Sequence, residues 1–152
     1  MGSASPPAYG GSGIKEVAML DEATLRARLQ RHWEFAGTDQ DITHEIYHAD
    51  AVLEFPQSGE RFEGVHSFKP WRERYPARLR FHIRRITHRQ DVVVVEYLIG
   101  YDDAPWQFVV NIMEFRGEKV ARERIYIMDG WEPPPWRAEW RASTLVDRPL
   151  PA

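Results

Sequence analysis

The 152-residue sequence contains no cysteine, which excludes disulfide staples, thiolate nucleophiles and cysteine-ligated metals. No apolar run approaches the roughly 18 residues that a membrane-spanning helix requires. The amino terminus also lacks the basic stretch followed by an apolar one that marks a signal peptide. A cytoplasmic protein with no membrane contact is expected. Nor is there an excess of basic charge: 20 Lys and Arg against 23 Asp and Glu leave a formal net charge of -3. No nucleic-acid partner is therefore expected, because phosphate binding needs a clustered positive surface. The signatures G-x-G-x-x-G, the P-loop and G-x-S-x-G are absent as well, which removes nucleotide binding and the serine-hydrolase elbow.

What is present suits one soluble α+β domain, with 43% apolar and 28% charged residues in a chain long enough to bury a core. Residues 1–13, MGSASPPAYGGSG, hold four glycines, two prolines and three serines and read as a disordered tail. Residues 14–141 read as the single domain, and 142–152 as a second tail. Asp21 is a good helix N-cap, and Leu25, Leu29, His32, Trp33 and Ala36 form one stripe at helical spacing. A second short helix is expected over 42–48, a strand over 51–55, and a third helix over 64–75, closed by Pro76. Four strands then follow, over 78–88, 92–101, 106–116 and 120–128. Their short connections predict an antiparallel meander.

The strands carry further information. VVVVEYLI and FVVNIMEF are apolar at both parities, so both faces of the sheet should be covered. Three short helices cover one face. The other falls either to the C-terminal segment, with Trp131, Trp136 and Trp140 as packing anchors, or to a second subunit. In the first strand of the meander Arg78, Arg80, His82 and Arg84 alternate with Leu79, Phe81 and Ile83, which predicts a solvated or ion-paired face opposite an apolar one.

Residues 44–48 read His-Glu-Ile-Tyr-His and match the H-E-x-x-H zinc motif. That motif needs a long buried helix and a third ligand, whereas here a strand is due by residue 51. Ala51 and Glu54 also stand where the extended motif wants glycine and histidine. No metal is expected. His44 and His48 should lie on an exposed helix face, with Ile46 and Tyr47 buried. The remaining polar groups are scattered among aromatics: His32 and Trp33, Glu54 beside Phe55, Trp71, Tyr75, Tyr97, Asn111 and Glu123. An apolar cup holding a few convergent polar groups is the usual form of a small-molecule site.

The element order, the segment DAVLEFPQSGERFEG and the ending GEKVARERIYIMD resemble the SnoaL-like branch of the nuclear transport factor 2-like superfamily, from about Leu20 to Trp140. The resemblance implies a cone-shaped, curved antiparallel sheet wrapped around three N-terminal helices, an apolar cavity, and homodimers packed through the outer sheet face. It implies no cofactor. Its members include ketosteroid isomerases, limonene epoxide hydrolases, polyketide cyclases and dehydratases, and binding proteins without catalysis. The isomerases' general base precedes the proline of the first strand, where this chain has Phe55. Their oxyanion-holding acid aligns with Asn111, and their first-helix tyrosine falls near Arg31 or His32. The Arg-x-Asp pair of the epoxide hydrolases aligns near Tyr97 and Ile99, and their second aspartate near Ile125. The cyclases' late-strand acid corresponds to Glu123 or Asp129, and parity favours Glu123, which shares a face with Ile125 and Ile127.

Two functions follow. One is a cofactor-free cyclase, isomerase or dehydratase acting by proton transfer on an apolar carbonyl compound. Glu54 or Glu123 would move the proton, His32 and Asn111 would hold the oxyanion, and Trp33, Phe55, Trp71, Tyr75, Tyr97 and Ile125 would contact the substrate. The other is a non-catalytic dimeric protein of the same fold that binds a small molecule or a partner. Glu54 has an alternative role, pairing with an arginine of the 78–85 strand. Glu96 is expected to pair with Arg84 or Arg124, since a lone buried charge is costly.

Overall fold

The computed structural model describes residues 20–144. Both expected tails lie wholly or mostly outside them. Helix α1, Glu22–Phe35, begins where Asp21 accepts from the Thr24 backbone N–H at 2.9 Å, the capping bond that satisfies an otherwise orphaned donor. Its stripe is buried as the spacing predicts: Leu25, Leu29, His32 and Trp33 all face inward. Helix α2 is only Gln40–Thr43, capped by Asp39, and passes directly into a 3-10 turn, His44–Ile46.

Strand β1, Tyr47–Phe55, starts four residues earlier than the sequence suggests, and a short β2, Glu60–Glu63, pairs with it across the turn at residues 56–59. Gly64 then adopts φ +83° and donates its N–H to Ala51 at 2.8 Å. A side chain there would be strained at that φ and would meet the His66 ring. Helix α3, Val65–Glu73, follows and packs on β1 and β2.

Strands β3, Leu79–Arg89, β4, Val92–Tyr101, β5, Gln107–Arg116, and β6, Lys119–Met128, form the expected antiparallel meander. The six-stranded sheet has the order β2-β1-β6-β5-β4-β3. It is a mixed sheet, not a purely antiparallel one: β1 runs parallel to β6, pairing Leu53 with Glu123. The reason is topological, because α3 and the long meander carry the chain back to β1 in the same direction. The sheet is curved and unclosed, and the α+β cone is otherwise as expected.

The register decides every orientation. Val93, Val95, Tyr97 and Ile99 on β4, Val109, Asn111 and Met113 on β5, and Glu123 and Ile125 on β6 face the helices and are buried. The opposite face carries Val94, Glu96 and Leu98, Phe108, Val110 and Ile112, and Arg122, Arg124 and Tyr126. Leu98 is buried there and Gly130 lies close to Phe108, whereas Val94, Val110, Ile112 and Tyr126 stay partly exposed. The C-terminal 3-10 segment, Pro135–Trp140, lies apart, with Trp131, Trp136 and Trp140 72–75% exposed, so these tryptophans anchor nothing within the described chain.

A bulge between Ile83 and Arg85 shifts the charge pattern of β3, so Arg85, not Arg84 or Arg124, pairs with Glu96 at 2.9 Å. Arg80 stacks over Trp106 and Arg78 reaches Asp103. The arginine strand is thus the paired outer surface that its composition predicts.

Candidate functional site

A cavity of about 130 Å³ lies between the helices and the inner sheet face, close in size to the ~150 Å³ void that admits a benzene ring. It opens into a wider mouth of about 540 Å³ rimmed by Phe55, Phe62, Trp71, Tyr75 and Ile127. Helix α1 contributes His32, Trp33 and Ala36, α2 Gln40 and Thr43, and α3 Trp71 and Arg72; the strands supply Phe55, Leu79, Phe81, Tyr97, Ile99, Asn111, Glu123 and Ile125. His32, Asn111, Glu123, Trp33, Phe55, Trp71, Tyr75, Tyr97 and Ile125 therefore all meet at one chamber.

Glu54 does not join them. It sits on the opposite face of β1 from Leu53 and Phe55, and its carboxylate accepts from Arg61 at 3.1 Å and Arg122 at 2.7 Å. The alternation of β1 turns it outward, and the two arginines hold it there. The pairing is with β2 and β6, not with the arginine strand. Asp129 lies beyond β6, exposed and bonded to Gln107 at 2.7 Å. Glu123 is thus the carboxylate that reaches the cavity.

Glu123 is 1% exposed, and donors converge on it. Asn111 Nδ2 donates to Oε1 at 2.7 Å, and the Tyr47 hydroxyl donates to Oε2 in a short bond. Arg72 Nη1 donates in turn to the Tyr47 oxygen at 3.2 Å and lies over the Tyr47, Phe68 and Trp71 rings. Burial raises the Tyr47 phenol well above its usual range, so it keeps the proton it donates. Both Glu123 oxygens accept, the arrangement that suits a carboxylate, and Arg72 supplies the balancing charge through Tyr47. Tyr47 and Arg72 escape sequence reasoning because their roles rest on contacts 76 and 25 residues apart in the chain.

The two buried histidines are neutral. Burial pulls His32 down to about 4, against the opposing charge of Glu123. His44 also falls to about 4, through burial and then the Arg72 charge. Their tautomers follow from their partners, since a carbonyl only accepts. His32 Nδ1–H donates to Thr43 O at 2.7 Å, leaving Nε2 as a lone pair. His44 Nδ1–H donates to Gln40 O at 2.6 Å, and its Nε2 accepts from Arg72 at 3.3 Å. His44 is buried, contrary to the expected exposed helix face, because the helix stops at Thr43. His48 lies on β1 and donates from Nε2 to Arg116 O at 2.6 Å. The H-E-x-x-H spacing is thus split between two elements, and Ile46 and Tyr47 are buried as expected.

His32 and Asn111, expected from the sequence as oxyanion donors, have part of their donor capacity committed elsewhere. In the fold one Asn111 Nδ2–H is given to Glu123 and Oδ1 is left without a partner, while His32 offers a lone pair. Each therefore brings an acceptor to the cavity. On α3, Trp71 Nε1–H is buried with no partner and only Nη1 of Arg72 is engaged, and the Tyr97 hydroxyl on β4, beside Asn111 and Trp33, is a further donor in the lining.

A six-stranded sheet curved over three helices around an apolar chamber is the architecture of the nuclear transport factor 2-like class, and solved structures agree. An NTF-2 like protein of unknown function from Burkholderia xenovorans LB400 is 36% identical, with TM-score 0.75, over 81% of this chain and 97% of that one. A proposed ketosteroid isomerase from Kribbella flavida DSM 17836 is 18% identical, with TM-score 0.73, over 86% and 96%. The epoxide hydrolase/cyclase-like enzyme SalBIII, with a role in pyran ring formation in salinomycin, is 16% identical, with TM-score 0.62, over 70% and 92%. No curated protein matches the sequence significantly. The SnoaL-like domain family matches residues 26–123, and the chain belongs to that family.

Proposed function

We propose that the protein is a cofactor-free acid–base catalyst acting on a ring-sized apolar carbonyl compound, with Glu123 as the group that moves the proton. One observation carries this reading: a buried carboxylate, fixed by Asn111 and Tyr47, forms part of the wall of an apolar cavity that admits one ring. Glu123 takes a proton from the carbon beside the carbonyl, and the electron pair passes to the carbonyl oxygen. Returning that proton to another carbon isomerises the substrate, and expelling a β-hydroxyl as water dehydrates it. The neutral imidazole of His32 provides a second acceptor on the same wall. The aromatic lining excludes water, which strengthens each polar contact inside. Relatives of this fold named as isomerases and cyclases support the reaction class.

The test is solvent exchange at carbon. With 2-tetralone in D2O, one ring fits the chamber and the other the mouth, and loss of the α-proton signal is followed by NMR. Exchange above the buffer rate that disappears in Glu123→Gln is expected. Equal rates with and without the protein would refute the reading and leave the alternative, a non-catalytic binding protein. A specific observation favours that alternative: both Glu123 oxygens already accept from protein donors.

The assembly we propose is a homodimer through the outer sheet face. Val94, Val110, Ile112 and Tyr126 are partly exposed apolar residues of that face, interleaved with the Arg85–Glu96 and Arg124–Glu114 pairs. No described helix covers it, and a face of this kind is stable in water when a second copy buries it. Among the described residues no helix is long and apolar enough to cross a membrane.

A further inference from the structure

The cavity's acceptors lie on β5, β6, α1 and α2: the Glu123 carboxylate, Asn111 Oδ1, His32 Nε2 and Gln40 Oε1. Neither amide can turn to present its nitrogen instead. Asn111 Nδ2 is bound to Glu123 and Gln40 Nε2 to Ala36 O, both at 2.7 Å, which leaves both amide oxygens buried without a partner. The Tyr97 hydroxyl and the Trp33 indole N–H lie together beside Asn111, whereas the cavity donor left buried without a partner is on α3. Trp71 Nε1–H is buried and unpaired, and the adjacent Arg72 has no carboxylate partner among the described residues, its Nη1 serving two neutral atoms, Tyr47 Oη and His44 Nε2. Most buried polar atoms find a partner, and a group left orphaned in a cavity is most simply satisfied by what the cavity receives.

We infer that Arg72 and the Trp71 indole N–H form the oxyanion-binding pole of the cavity. The ligand enters with its most negative oxygen, a carboxylate or the oxygen of an enolising carbonyl, against α3, and with a hydroxyl donating to Asn111 Oδ1. Arginine suits this task because its planar fork has further N–H groups to offer once Nη1 is engaged. The rings of Tyr47, Phe68 and Trp71 hold that fork in place. The Tyr47 hydroxyl stands between the poles, accepting from Arg72 and donating to Glu123. Arg72 is itself two hydrogen bonds from the carboxylate, so a negative oxygen on its fork lies at most about three hydrogen-bond lengths from Glu123, a span that a single ring bridges. The inference rests on the cavity being the ligand site. It does not require turnover.

The probes are 3-hydroxybenzoate and 3-hydroxybenzyl alcohol, which share the ring and the hydroxyl and differ in the negative oxygen. By titration calorimetry the acid should bind the wild-type protein about tenfold or more tightly than the alcohol. Arg72→Gln should bring the two within about threefold, and Trp71→Phe should weaken the acid alone. Because Arg72 also braces Tyr47, a second measurement needs no variant of it. The Trp71 indole N–H resonance, assigned by its loss in Trp71→Phe, should move downfield with the acid and stay in place with the alcohol. Equal binding of both probes, no binding of either, or an unmoved indole resonance would overturn the inference. Acid-selective binding by a protein that fails to exchange 2-tetralone would refute the proposed catalysis and leave this pole standing.

Discussion

Acid should destabilise this protein through a histidine that cannot be charged where it sits. His32 is 5% exposed, between α1 and the inner sheet, and its Nδ1–H is committed to Thr43 O. Burial lowers it to about 4, against 6.5 for a free imidazole. Between those values the unfolded chain binds a proton that the folded chain refuses, so stability falls as pH falls through this window and is retained above it. Across that window one such histidine removes about 2 kcal/mol between pH 7 and pH 5. His44, also lowered, adds to the slope in the same direction. The discriminating variant is His32→Asn, which keeps an N–H for the Thr43 carbonyl and cannot titrate. Urea unfolding followed by tryptophan fluorescence at pH 7, 6 and 5 gives the two slopes. The variant should be less stable at neutral pH and should lose about 2 kcal/mol less across the range. Parallel pH dependences in the two proteins would show that His32 titrates freely in the fold, and the reasoning would fail.

Tyr47→Phe should cost about 1–3 kcal/mol in urea unfolding, because one Glu123 oxygen and one Arg72 N–H both lose their partner in a buried setting; a change within experimental error would mean that the relay is not formed. Glu54→Gln should cost no more than about 1 kcal/mol, since its arginine partners are half exposed, and should leave 2-tetralone exchange unchanged; loss of exchange would return Glu54 to the site. Val110→Lys places a charge in the centre of the outer face, beside Glu96 across the β4–β5 pair, and should convert dimer to monomer in light scattering while the chain stays folded. A wild-type protein of monomer mass would refute the dimer.

Much of the fold is legible locally. The meander follows from four apolar runs separated by short polar turns, and α1 from one capped apolar stripe. Parity alone turns Glu123 inward with Ile125 and Ile127, as β6 does. The failures have a common cause. β1 starts at Tyr47 and α2 ends at Thr43 because tertiary pairing claims residues whose spacing suits a helix equally well. The short β2 is invisible to periodicity, being four residues of mostly charged chain. The parallel β1–β6 pair and the bulge that exchanges Arg84 for Arg85 are likewise set by partners far along the chain.

Which residues are apolar, which can titrate and at what period they recur are properties of the chain before it folds. Those properties settle a helix-then-meander α+β domain and exclude thiol chemistry. What each polar side chain has left to offer depends on the contacts made when the chain folds. Asn111 and His32 are hydrogen-bonding residues in any reading, but the fold commits an N–H of each, to Glu123 and Thr43, and leaves Asn111 Oδ1 and His32 Nε2 as open acceptors. Arg72, one of seven arginines between Trp71 and Arg89, becomes the cavity's cation because α3 sets it over Tyr47, which stands between it and Glu123. A hydrogen bond commits an atom, not a residue type, and which atoms are committed is fixed only when distant segments meet.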